Sequence, residues 1–349
     1  MPQKPSKSAS PAPVTIPGFD SEVMPRSRAG AVLPMAAEAQ RVRRSTFDVT
    51  DGIEVTDPAV VGDEVIRLFC TLYQDADART LRRAFDDFAA AYTGADPRYH
   101  ASDTPYHDVQ HVLDVTLAMA RLMAGRESVP GGAPLSERLF RFGIMLALFH
   151  DSGYLRRRRD TRHRNGAEYT LTHVSRSGEF LRDYLPRVGM GDLAGAAARV
   201  VHYTGYEVPV ARIRVSDPAF HELGCMLGTA DIRAQMADRC YLEKCYDRLY
   251  PEFVLGGVAR RRLPQGGEEV VFASAADLIT KTPQFHANAA RRLEQDLDGV
   301  HRHFRRFFRG DDPYLEAIER NVGYARRLGD ANDMAGLRRR LPDQAPVAI

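Results

Sequence analysis

ERLFRFGIMLALFHDSGY, residues 137–154, is almost wholly apolar from Phe142 to Phe149 and then ends in His150 and Asp151. A helix that is hydrophobic on every side belongs in the interior, so this segment is predicted to run through the middle of a helical domain. A charged pair at the end of such a helix needs a partner, because a carboxylate buried alone is costly. A metal ion supplies that partner. Imidazole nitrogen with carboxylate oxygen suits Zn, Mn, Fe or Mg, and the absence of nearby Cys argues against a thiolate structural zinc site.

Upstream, TPYHDVQHVLDVTLAMARL (104–122) carries His107, His111 and Asp114 opposite an apolar face of Val112, Val115, Met119 and Leu122. Residues four apart lie on one helix face, so His107 and His111 can point into one site, with Asp114 extending the edge. Downstream, Asp231 in GTADIRAQMA stands on an otherwise small and apolar segment, where a solvated Asp is unexpected. His111, His150, Asp151 and Asp231 would together complete an open metal site with room for water. Of the 11 histidines, His107, His111, His150, His163, His173 and His202 crowd into one stretch, which favours a shared site over separately satisfied side chains. His163, in the polar run RRRRDTRHRNG, reads as a loop residue.

The remaining pattern is helical. DEVIRLFCTLYQ and LRRAFDDFAAAY repeat apolar residues at three and four, and Ser136 is placed to cap the helix that follows SVPGGAPLS. Further helices are expected in GAEYTLTHVSRSGEFLRDYL, DLAGAAARVVHYT, FHELGCMLGTADIRAQMA, YLEKCYDRLYPEFV, DLITKTPQFHANAARRLEQDLDGVHRHFRRFF and PYLEAIERNVGYARRLG. Only VARRRLPQGGEEVVFAS breaks the periodicity, as a small β-hairpin near 258–273 with its turn at PQGG. Gln284 and Phe285 read as an ordinary helix start after Pro283. The fold class is all-α, a helical bundle: a Pro- and Ser-rich tail over 1–45 that cannot order itself, a main domain over 46–255, and a C-terminal hairpin and helices over 256–349 packing on it.

Composition narrows the function classes. In 349 residues, 48 basic and 46 acidic side chains leave a net charge of +2, so no global field points to nucleic acid. No apolar run approaches the roughly 18 residues of a membrane span, and the N-terminus has no signal-peptide core, so a cytoplasmic protein is expected. Cys70, Cys225, Cys240 and Cys245 form no CxxC pair and read as reduced, buried thiols. The basic run RRRRD (156–160) reads first as a solvated loop and second as an anion-attracting rim.

In its order of H, then HD, then D along an all-helical chain, the sequence resembles the HD-domain superfamily of metal-dependent phosphohydrolases. PYHDVQHVLDV (105–115) is similar to the YHNxxHxxDV signature of class I cyclic nucleotide phosphodiesterases, with FHD (149–151) and GTADI (228–232) in the matching order. The resemblance implies an HD-type bundle over roughly residues 60–255, with one or two divalent ions (Mn, Fe, Zn or Mg). It implies first-metal ligands at His111, His150, Asp151 and Asp231, with Asp151 also bridging two metals, and His107 protonating the leaving oxygen. Two departures stand out: Asp108 replaces the Asn after that histidine, and the HDxDHxG pattern becomes HDSGYLR, without its second histidine. Multi-metal HD proteins take extra ligands from the following helices, where His173 (LTHVSRS) and His202 (VVHYTGY) are placed. The expected substrate is a nucleotide, cyclic nucleotide or other small phosphoester. A nucleotidase or nucleoside triphosphohydrolase on the same core is the alternative enzyme, and a nucleotide- and metal-binding sensor without turnover the alternative of another class.

Overall fold

Polar residues followed by proline set several helix starts, because a side-chain oxygen satisfies a free backbone N–H while proline gives up none that was needed. A computed structural model of the chain describes residues 43–128, 134–262 and 267–343. Most of the expected N-terminal tail, part of the SVPGGAPLS loop and most of the hairpin turn lie outside these residues. In chain order the helices are α1 (Pro58–Leu72), α2 (Arg79–Tyr92), α3 (Val109–Glu127), α4 (Glu137–Phe149), α5 (His173–Tyr184), α6 (Ala194–Val200), α7 (Pro218–Ala237), α8 (Tyr241–Lys244), α9 (Tyr250–Leu255), α10 (Ala275–Gln295), α11 (Arg302–Phe307) and α12 (Pro313–Ala331). A π-helical turn, Cys245–Leu249, joins α8 to α9. Asp57, Asp108, Ser136, Asp217, Ser274 and Asp312 cap α1, α3, α4, α7, α10 and α12. Two short antiparallel strands, β1 (Arg260–Arg262) and β2 (Glu268–Val270), form the expected hairpin, and the described residues are otherwise helical or irregular.

Helix α3 is the axis of the bundle, packing against α1, α4, α7 and α11. It is buried without interruption from Gln110 to Gly125, so the polar face expected from its sequence does not reach solvent. Its polar groups are instead paired inside: Arg121 donates to Asp48 (2.7 Å) and to the Tyr314 hydroxyl (3.0 Å), tying the segment before α1 and helix α12 to the axis. At Gly125 the backbone of α11 comes so close that an added Cβ would overlap the His303 carbonyl oxygen. As expected, α4 is interior, with Phe140 and every residue from Phe142 to Phe149 buried.

Two details differ from the sequence reading. Pro283 lies inside α10 rather than at a helix start; Gln284 bonds Asn288 on an exposed face. Cys70 is exposed, whereas Cys225, Cys240 and Cys245 are buried, and all four are free thiols. Among the described residues no helix is long and apolar enough to cross a membrane.

Candidate metal centre

Three helices deliver the His and Asp side chains. Asp108, the N-cap of α3, accepts the His111 backbone N–H (2.9 Å), so the first turn that carries His111 is locked by its own sequence. His150 is the C-cap of α4 and Asp151 follows in a turn. Asp231 lies in the second half of α7, which packs on α3. His111 Nε2 is 3.3 Å from Asp151 Oδ2 and 3.5 Å from Asp231 Oδ1. His150 Nε2 is 3.3 Å from Asp151 Oδ2 and 3.9 Å from Asp231 Oδ1. The ligand-type atoms of His111, His150 and Asp151 lie within 4.8 Å of one another, and all three residues are buried.

The orientation of His150 is fixed by its other nitrogen. Nδ1 lies 2.7 Å from the Ala147 carbonyl oxygen, which can only accept, so Nδ1 carries the hydrogen and Nε2 faces the site. Although His150 Nε2 and Asp151 Oδ2 are near each other, neither has a hydrogen-bond partner of acceptable geometry. Burial alone would lower the His150 pKa, but the adjacent Asp151 carboxylate reverses this and pushes it up to about 9. Burial opposes ionisation of Asp151, yet His150 and His111 hold its carboxyl well below the usual range. The pocket therefore attracts positive charge. The buried, hydrogen-bond-orphaned His150 Nε2 and Asp151 Oδ2, facing His111 from α3 and Asp231 from α7, fit a divalent cation.

His107 occupies a different place from the one its spacing suggests. It precedes α3, in the turn before the Asp108 cap, and so does not share a helix with His111, yet the turn brings the two rings to 5.7 Å, edge to face. Its Nδ1 is 2.5 Å from Oε2 of Glu252, a fully buried carboxylate on α9 whose Oε1 also accepts the Tyr106 backbone N–H. Burial works against protonation of His107, but Glu252 overrides it and leaves the pKa raised. Sequence reasoning did not find Glu252, because 145 positions separate it from His107 and no motif marks it.

Tyr154 is the other unanticipated member. Its ring is stacked between His107 and His173, with centroids 4.4 Å from each. In the HDxDHxG pattern this is the place of the second histidine, and Gly153 is the place of its second aspartate. A side chain at Gly153 would overlap the His173 backbone carbonyl, so the close approach of α5 requires glycine there.

His173 stands at the edge of the cluster. Its Nδ1 is 2.6 Å from the Thr170 carbonyl oxygen, and Nε2 is 3.7 Å from Asp151 Oδ1. His202 is engaged with Glu207 (2.7 Å), and His163 with Asp160 (3.0 Å). The basic run is also occupied: Arg156 pairs with Asp103 (2.7 Å), and Arg158 donates to the carbonyls of Tyr99 and Gly94. Asp114 is not part of the His111–His150–Asp151 group; with Tyr106 and His111 it lines a small neighbouring recess that Gln235, Asp238, Tyr241 and Lys244 complete.

Comparison with protein-family models and with curated proteins gives no match. Among solved structures, the chain is similar to the phosphodiesterase domain of the RhoPDE fusion protein from the choanoflagellate Salpingoeca rosetta, at 12% identity and a TM-score of 0.47, over 84% of this chain and 97% of that one.

Proposed function

We propose that the chain is a metal-dependent phosphohydrolase that cleaves a phosphoester of a nucleotide or cyclic nucleotide, with His107 as the general acid. The observation that carries this reading is a buried His150–Asp151 pair whose facing atoms, Nε2 and Oδ2, lack hydrogen-bond partners, converging with His111 and Asp231 beside a histidine whose pKa a buried carboxylate raises. His111, His150, Asp151 and Asp231 would hold a first cation, and the Asp151 oxygen that faces His173 would be available to a second. When bound, a divalent ion supplies Lewis-acid polarisation at phosphorus and makes an attacking water more acidic.

The protein's own groups do the rest. Glu252 accepts from His107 Nδ1, which leaves Nε2 as the proton donor for the departing oxygen. Tyr154 stacks on that imidazole, with His173 stacked on Tyr154 in turn, and limits its rotation, so the proton is delivered in one direction. Retention of a protonated acid next to the metal ligands favours turnover over a sensor that only binds.

A direct assay compares Mn-loaded protein on bis(nitrophenyl) phosphate, nitrophenyl phosphate and a cyclic nucleotide. Metal-dependent hydrolysis of the diester and the cyclic nucleotide is expected, with the monoester slower. A preference for the monoester would move the reading to a nucleotidase, and binding without hydrolysis of any ester would leave a sensor.

A further inference from the structure

Away from this centre, at the N-terminal end of α7, three side chains of different chemistry converge on one point. His221 Nε2 is 2.9 Å from Asp298 Oδ2 and 3.6 Å from Cys225 Sγ, and the ligand-type atoms of all three lie within 4.8 Å of one another. His221 and Cys225 are one helical turn apart, so α7 alone sets their spacing. Asp298 comes from the turn after α10, where the backbone is left-handed (φ 53°).

The convergence is unlike that of a nucleophilic triad. In a triad the two imidazole nitrogens separate the thiol from the carboxylate. Here Nε2 faces both, while Nδ1 is held at 2.6 Å by the Tyr203 hydroxyl. A metal-ligating histidine has this arrangement: one nitrogen toward the ion, the other oriented by a second group. Tyr203 is itself fixed, since its ring fills the space at Gly224 and its carbonyl oxygen abuts Gly228, so that a side chain at either position would overlap it.

We propose that His221, Cys225 and Asp298 form a second, separate cation site for a thiophilic divalent ion of the Zn²⁺ class, completed by water. Zinc–sulfur and zinc–nitrogen bond lengths in a tetrahedral site put the two ligand atoms about 3.5 Å apart, which matches the sulfur–nitrogen separation found. Cys225 is buried, but His221 and Asp298 are each partly exposed, so an ion can enter from solvent with a water in its fourth position. The ligand form of a cysteine is the thiolate, so an entering ion would displace the Cys225 proton to solvent. The bound ion would clasp α7 to the α10–α11 turn, on the same helix that presents Asp231.

Cobalt substitution separates this site from the first. The His111 centre contains only nitrogen and oxygen ligands, so a thiolate-to-Co²⁺ charge-transfer band reads the Cys225 site alone. Full-length protein titrated with Co²⁺ is expected to show the band, to keep it in Asp151→Ala, and to lose it in Cys225→Ser. Zn²⁺ should displace the cobalt and abolish the band. Circular dichroism of Cys225→Ser shows whether the fold is intact, and His221→Asn, which keeps the thiol, should weaken cobalt binding at least 10-fold. Absence of the band in the wild type, or its persistence in Cys225→Ser, overturns the proposal.

Discussion

At the level of single residues, the chemistry rests on contacts that proton affinity can test. Loss of a general acid typically costs about 10²- to 10⁴-fold in rate. His107→Ala is therefore expected to retain its metal and lose turnover by that order on poor leaving groups, with a much smaller loss on nitrophenolate, which needs no proton. Glu252→Gln removes the carboxylate that raises the His107 pKa against the opposing effect of burial. The basic limb of its pH–rate profile should move to lower pH, while metal content stays unchanged; an unmoved limb would show that Glu252 only packs. Asp114 offers a separate test. Burial, with Asp238 and Asp48 nearby, raises its pKa to about 7. A raised carboxyl stabilises the fold below its ordinary pKa, and that contribution fades as pH rises through about 7. Asp114→Asn mimics the protonated form at every pH. Urea midpoints should therefore show wild type losing stability relative to the variant between about pH 4 and pH 7, the gap levelling off above. Parallel curves would contradict this.

At the level of elements, the sequence revealed the helices and where most of them begin, because apolar spacing and Asp or Ser caps are local signals. The apolar run Phe142–Phe149 announced an interior helix and the His150–Asp151 pair at its end, and both are there. Helix α3 read as amphipathic because its polar residues, Arg121 among them, find partners only in distant segments that spacing cannot reveal. His107 read as helical because a turn of the right length mimics helical spacing. Glu252 and Tyr154 were invisible for the same reason as the Arg121 contacts: one is far away in sequence, the other looks like an ordinary core aromatic. By contrast, the His221–Cys225 pair was open to discovery, being one turn apart in FHELGC. The contact of α5 with the turn after Asp151 yields a prediction. Gly153→Ala must displace the His173 backbone, and overpacking of this kind costs about 1–3 kcal/mol. Denaturation should show that loss, and a variant as stable as wild type would mean that α5 yields freely.

At the level of the whole molecule, one axis helix and the two that flank it bring the side chains at positions 111, 150, 151 and 231 together, and C-terminal helices α11 and α12 brace that arrangement against α3 and α7. An ion that binds only the folded chain adds stability by mass action, about 2.7 kcal/mol at 100 times its dissociation constant. Mn²⁺ should accordingly raise the melting temperature of the wild type and leave that of Asp151→Ala unchanged. The most direct test is elemental analysis of chains purified, reconstituted with Mn²⁺ or Fe²⁺ and freed of excess, in a Cys225→Ser background so that the second site is removed. The account predicts at least one ion per chain, lost in both His150→Ala and Asp151→Ala and kept in His107→Ala; a parent chain that retains no ion, or variants that retain it fully, would contradict it.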